Sequence, residues 1–135
     1  PAGWSRVVIV EGISAALPAG VVPVETAGAD SVTREYRSES LQLSIDFGWY
    51  GDPLTGAEGE GLVRRSIEVD GCAALLVTYR DPGGSITRPY VAALHVPDLG
   101  RGTLKLTAVA RGSSEVDQER AVRILRSLRF DERHP

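Results

Sequence analysis

The side chains here that could do acid–base or nucleophilic work are two histidines, a single cysteine and a spread of carboxylates. Nucleophilic catalysis needs a serine or cysteine held beside a base. His134 stands one residue from the end, where chains rarely hold a fixed geometry. His95 alternates with Val91 and Ala93 in a strand-like run, which reads as a half-exposed or hydrogen-bonded strand residue rather than a base. No Gly-x-Ser-x-Gly elbow surrounds any serine. A hydrolase or small-molecule-binding enzyme subunit would have to assemble its site in space around His95 and nearby carboxylates, and this is the alternative reading of the chain. Cys72 lies in an apolar run and reads as a buried, inert thiol, with no second cysteine for an intramolecular disulfide.

Metal and phosphate chemistry find little to build on. No Cys/His pair has ligand spacing. Asp52, Glu58 and Glu60 share one loop, but their spacing does not match an EF-hand, so they read as solvated carboxylates. Gly56, Gly59 and Gly61 stand among glutamates that would repel phosphate, and no Lys-Ser/Thr follows. Asp46, Glu35 and Glu68 offer acid pairs of the kind glycosidases use, as any domain this charged does by chance. Arg64 and Arg65, with Arg80 and Arg88 beyond the partner strand, read as solvated strand-end charges ahead of an anion patch. No cofactor is expected. The better candidate is aromatic: Trp49 and Tyr50 end a strand and open the loop at 51–61, where amphipathic rings favour contact with a protein or ligand. Trp49, Tyr50 and Asp52 are the predicted binding residues, on a rim running from Trp49 to Gly61. Against this, Trp49 also continues the apolar face of its strand and could simply close the sheet.

The elements that would position these residues are mostly strands. Asp70-Gly71 suits both central positions of a type I′ turn, so Ile67 and Val69 should face Ala74 and Cys72 across a tight hairpin. Ile67, Val69, Cys72, Ala74 and Leu76 then share one face, and Glu68, Ala73, Leu75, Val77 and Tyr79 the other. A strand apolar on both sides belongs inside a sheet covered on both faces. A second hairpin joins 32–37 to 41–50 around Ser38-Glu39-Ser40, with Leu41, Leu43, Ile45, Phe47 and Trp49 inward. The opening run from Trp4 to Pro18 reads as one strand, or as two with a kink at Gly12, and Pro23 places 21–24 at a sheet edge. Further strands are expected at 89–96 and 103–111.

One helix is expected, and it comes last. Ser114 caps it, Glu115, Asp117 and Glu119 load its start with negative charge, and Arg123, Arg126 and Arg129 load its end with positive charge. Ala121, Ile124, Leu125 and Leu128 form its apolar face. The expectation is one α+β domain over residues 1–135, a mainly antiparallel sheet of about six strands with the C-terminal helix packed on it.

Composition narrows the partners. The net charge of -3 comes from interspersed acids and bases, which argues against nucleic acid or an anionic lipid surface as a partner. No run of eighteen apolar residues suggests a transmembrane helix. Fourteen arginines against one lysine, with no asparagine, reflect GC-rich codons rather than function. The start at Pro1 and the lack of methionine raise the expectation that a leader or further segment precedes this chain, and that it works in the periplasm or is secreted or lipid-anchored.

Gly12-Ile13-Ser14-Ala15-Ala16-Leu17-Pro18, the strand at 41–48, the hairpin at 68–79 and the ending Ala-Val-Arg-Ile-Leu-Arg-Ser-Leu-Arg-Phe at 121–130 together resemble the PsbP-like superfamily. That superfamily includes the Ran-binding Mog family and bacterial extracytoplasmic proteins of unknown function. The resemblance implies an antiparallel sheet between helical layers, and an accessory or binding role rather than a catalytic one. The sequence departs from this pattern in carrying one helix signal, and it matches no functional motif of the family residue by residue.

Overall fold

Asp70 and Gly71 adopt φ of 47° and 82°. These values define the turn that their side chains allow, and the strands on either side meet in the expected register, Val69 opposite Cys72 and Ile67 opposite Ala74. The computed structural model describes residues 3–10, 12–24, 32–48, 59–81, 83, 87–99 and 105–130.

The described residues form ten strands and one helix: β1 (Trp4–Val10), β2 (Ile13–Pro18), β3 (Val22–Val24), β4 (Val32–Arg37), β5 (Leu41–Gly48), β6 (Glu60–Val69), β7 (Cys72–Arg80), β8 (Tyr90–Val96), β9 (Lys105–Gly112), α1 (Glu115–Arg126) and β10 (Arg129–Phe130). Seven strands make one sheet in the order β3-β4-β5-β9-β8-β7-β6, and β1-β2-β10 make a second. Every pairing is antiparallel. The fold class is α+β as expected, but ten strands replace the expected six or so. One strand with no counterpart in the sequence reading, β10, spans two residues, too few for an alternation to register. The opening run is two strands parted at Gly12, the second of the two expectations, but the chain reverses there instead of kinking: Gly12 takes φ 84° and β2 folds back on β1. Arg129, expected in the last helical turn, begins β10, because the helix stops at Arg126 with Ser127 as its C-cap.

The helix begins as its sequence requires. Ser114 is extended (φ -148°, ψ 171°), and its side chain accepts a hydrogen bond from the Asp117 amide. Ala121, Ile124 and Leu125 on α1, and Leu128 just beyond it, are buried in one core with Leu41, Leu43 and Ile45 of β5, Leu94 of β8 and Leu106 of β9. The helix lies across β8 and β9 and reaches β2 and β5. Ile9, Ala15, Leu17 and Phe130 join the same core, so the small sheet and the helix together cover one face of the large sheet.

On the opposite face Val77, Ala93 and Val91 are also buried, with Leu62, Leu75, Tyr79 and Val109 packed around the first two. The two-sided burial expected for β7 is therefore present, and β8 shares it. Pro23 sits in β3, the edge strand its missing amide hydrogen suits.

Candidate functional site

Trp49, Tyr50 and Asp52, the predicted binding residues, lie outside the described residues, as does Glu58. The end of the loop expected at 51–61 is strand instead: Glu60 and Gly61 belong to β6, Glu60 stands opposite Arg80 rather than as a solvated loop carboxylate, and Gly59 before them leads into a cleft. Gly59 packs so closely on β7 that a Cβ there would stand 2.9 Å from the Arg80 carbonyl oxygen and overlap the Tyr79 ring. Glu60 reaches across to β7, and Arg80 donates to its Oε1 at 2.7 Å. That hydrogen bond, with the carboxylate's charge behind it, holds the Arg80 guanidinium above its ordinary pKa. The same guanidinium lies 5.8 Å from the centroid of the Tyr90 ring, within cation–π range.

These residues wall a cleft of about 280 Å³ together with Gly61, Thr78, Tyr79, Glu115 and Gln118. A second cleft of about 340 Å³ shares Thr78 and Gln118 with it and continues between α1 and β6–β7, past Val63, Arg65, Leu76 and Val122 to Arg126. One groove therefore follows the flank of the helix, polar and aromatic at the loop end, aliphatic and charged beyond, where Val63, Leu76 and Val122 stand among Arg65, Glu119 and Arg126. Gln118 separates the two parts, and its Nε2 donates to the carbonyl oxygens of Tyr79 at 3.0 Å and Val91 at 2.8 Å. One amide thus ties α1 to two neighbouring strands. Gln118→Ala removes both bonds, and about 1–3 kcal/mol of stability should go with them. Urea denaturation monitored by far-UV circular dichroism would read that loss as a lower midpoint at unchanged slope.

The other sequence candidates are dispersed. His95 is 6% exposed, its Nδ1 lies 2.9 Å from Thr107 Oγ1, and it lines neither cleft. Of the two expectations for it, half-exposed or hydrogen-bonded, the second holds, and the ring is buried because β8 is covered on both faces. Thr33 Oγ1 donates to Asp46 Oδ1 at 3.4 Å on β4 and β5. Glu68 stands on β6, with three strands between it and Asp46, or about 19 Å at ordinary strand spacing. Those two carboxylates cannot share a substrate bond. Arg88 donates to the carbonyl oxygens of Ser38 and Glu39 at 3.2 and 3.3 Å, tying the β4–β5 turn to the start of β8 instead of joining Arg64 and Arg65. Cys72 is buried and unbridged, and no group of three or more potential metal ligands occurs among the described residues.

Sequence reading missed Tyr90, Gln118 and Arg126 as cleft residues. Tyr90 opens a strand and Gln118 is a polar residue in a helical first turn, so nothing local marks them. Only the docking of α1 on the sheet brings them together.

No protein-family model matches the sequence, and no curated protein matches it. Among solved structures the fold is PsbP-like, an α+β domain of antiparallel sheet with a C-terminal helix. The chain is similar to cyanobacterial PsbP (CyanoP) from Synechocystis sp. PCC 6803, known in solution, with a TM-score of 0.60 at 16% identity over 96% of this chain and 94% of that one. At that identity the likeness concerns the fold. No described helix is long and apolar enough to cross a membrane.

Proposed function

We propose that this chain is a non-enzymatic binding or accessory domain of a bacterial extracytoplasmic protein, and that it meets a partner protein or small ligand along the rim at 49–61. The observation that carries this reading is the cleft at the end of the rim. Glu60 and Gly61 form one wall, and Tyr79, Arg80 and Tyr90 face them. An aromatic and guanidinium surface beside a loop is the composition that concentrates binding energy at interfaces. Trp49 and Tyr50, at the other end of the same loop, would extend it. The PsbP-like fold supports an accessory role by resemblance, and the extracytoplasmic setting rests on that likeness.

The test is capture from fractionated lysate of the source organism, comparing the intact domain with the Trp49→Ala/Tyr50→Ala double variant. Loss of two aromatic anchors should weaken a specific partner by about tenfold or more. A partner retained by the intact domain and lost by the variant supports the rim as the contact. Equal capture by both moves the contact elsewhere, and no capture from any fraction removes the reading of a protein-binding module.

A further inference from the structure

The two edges of the large sheet are built differently. β3 is three residues long and carries Pro23, which suppresses further pairing. β6 is ten residues long, solvent-exposed along most of its length, and no described strand pairs with its outer side. A long strand at a sheet edge is a template for another strand, so its side chains must either repel one or receive it.

The hairpin fixes which backbone groups face outward. A two-residue turn is flanked by a hydrogen-bonded pair, here Val69 and Cys72, and bonded and non-bonded pairs alternate from there. Val69, Ile67, Arg65 and Val63 thus direct their backbone toward β7, while Glu68, Ser66 and Arg64 direct theirs away from it. An antiparallel newcomer must bond to those three residues. Arg64 and Glu68 are opposite in charge, exposed, on one face of the strand and symmetric about Ser66.

We propose that β6 pairs antiparallel with β6 of a second copy of this chain, with Ser66 on the two-fold axis and Arg64 of each copy opposite Glu68 of the other. The register follows from the charges in one direction and from the turn in the other, where a shift by two would set Arg64 against Asp70, a turn residue whose Oδ2 already accepts from the Phe130 amide. Shifting it by two residues in one direction sets Arg65 against Arg65, and shifting it further sets Arg64 against Arg64, both like-charge pairs directly opposite. The Ser66-centred register instead places two opposite-charge pairs on one face. On the other face it sets Val63, a large hydrophobic left 43% exposed in the single chain, beside Val69 of the second copy, which its own core already buries, so the charge pairs carry the contact. The same charges that would repel an arbitrary strand accept this one, and a symmetric contact closes as a dimer. A contact through one strand edge is small beside stable interfaces, so a weak, concentration-dependent dimer is expected.

Sedimentation velocity over rising concentrations of the full chain tests this, with the 14.4 kDa monomer expected to convert to a species of twice that mass. Arg64→Glu sets like charges opposite each other twice and should weaken the dimer by about tenfold or more. Arg64→Glu/Glu68→Arg should restore it, which a merely structural effect of either change would not. Ser66→Cys should crosslink between copies under mild oxidation, since paired Cα atoms about 5.5 Å apart lie within disulfide range and Cys72 is buried. A monomer at every concentration overturns the proposal, including the case in which that monomer takes up a foreign extended peptide. So does a dimer indifferent to the charge reversal, since it would be formed through another surface.

Discussion

Leu125→Ala should lower the unfolding free energy by about 4–5 kcal/mol, the upper part of the range for a buried leucine truncated to alanine. Leu125 is 0% exposed and points from α1 into the core against β8 and β9. What lies beneath the helix decides the magnitude. The inward positions of these strands include Ala92, Ala108 and Ala110, all fully buried, with Ala92 directly opposite Ala110 and Leu94 opposite Ala108. Small residues let the helix approach closely, and that closeness makes the cavity permanent, because an alanine has no rotamer with which to fill it. Val122, half-buried on the cleft side of the same helix, gives the contrast. Val122→Ala should cost about 1 kcal/mol or less, since water can enter there. Urea denaturation of the two variants beside the parent chain measures the difference, and equal losses would mean that α1 is not seated on an alanine floor.

That floor was half legible in the sequence. The alternation at 103–111 placed Ala108 and Ala110 on one strand face, and the spacing of Ala121, Ile124, Leu125 and Leu128 gave the helix face that meets it. Both signals are local, fixed by backbone period, and the Asp70-Gly71 turn is local in the same way. The signals that failed are those for which physics acts across the chain. Arg88 reads as a solvated strand-end charge because nothing near it in sequence offers a partner, yet it spans about fifty positions of sequence to the carbonyls of Ser38 and Glu39. Arg129 has the charge and position of a helix end but enters β10, since strand pairing with Ser14 satisfies its backbone. The Phe130 amide is completed from further away still, donating to Asp70 Oδ2 at 2.8 Å. The hairpin turn read from sequence as a local device therefore also anchors the C-terminal strand, a role that no reading of residues 66–79 alone contains. The cleft was illegible for the same reason, because it exists only once α1 is placed beside β6 and β7.

Gly112→Ala should be nearly as damaging, for the opposite reason. Gly112 closes β9 opposite Leu41 and Tyr90, immediately before the cap of α1. A Cβ added there would stand 2.7 Å from Asp117 Cβ, 3.1 Å from the Asp117 carbonyl carbon and 3.2 Å from the Gln118 nitrogen. These are not flexible side-chain ends: two are helix backbone, and the third is the root of a side chain held by its neighbours. Asp117 Oδ1 accepts from Ser40 Oγ at 3.2 Å and from Arg120 at 3.3 Å, and its Oδ2 accepts from Ser114 Oγ at 3.0 Å. Its amide donates to the same Ser114 hydroxyl at 3.2 Å, completing the N-cap. The methyl group must therefore lift the first helical turn off the sheet or break the cap. Overpacking costs about 1–3 kcal/mol and loss of the cap about 1 kcal/mol more, so about 2–4 kcal/mol is expected. Gly83→Ala is the matched control. A Cβ there meets nothing within 4 Å and its φ is not positive, so the change should be neutral or stabilise by up to about 1 kcal/mol through the unfolded chain. The same substitution thus carries opposite signs at two glycines. In an Asp117→Gly background the penalty at Gly112 should shrink, because the nearest obstructing atom is gone, and a double-mutant cycle measures that coupling. If the two changes instead added independently, the collision with the helix start would not be the cause of the loss.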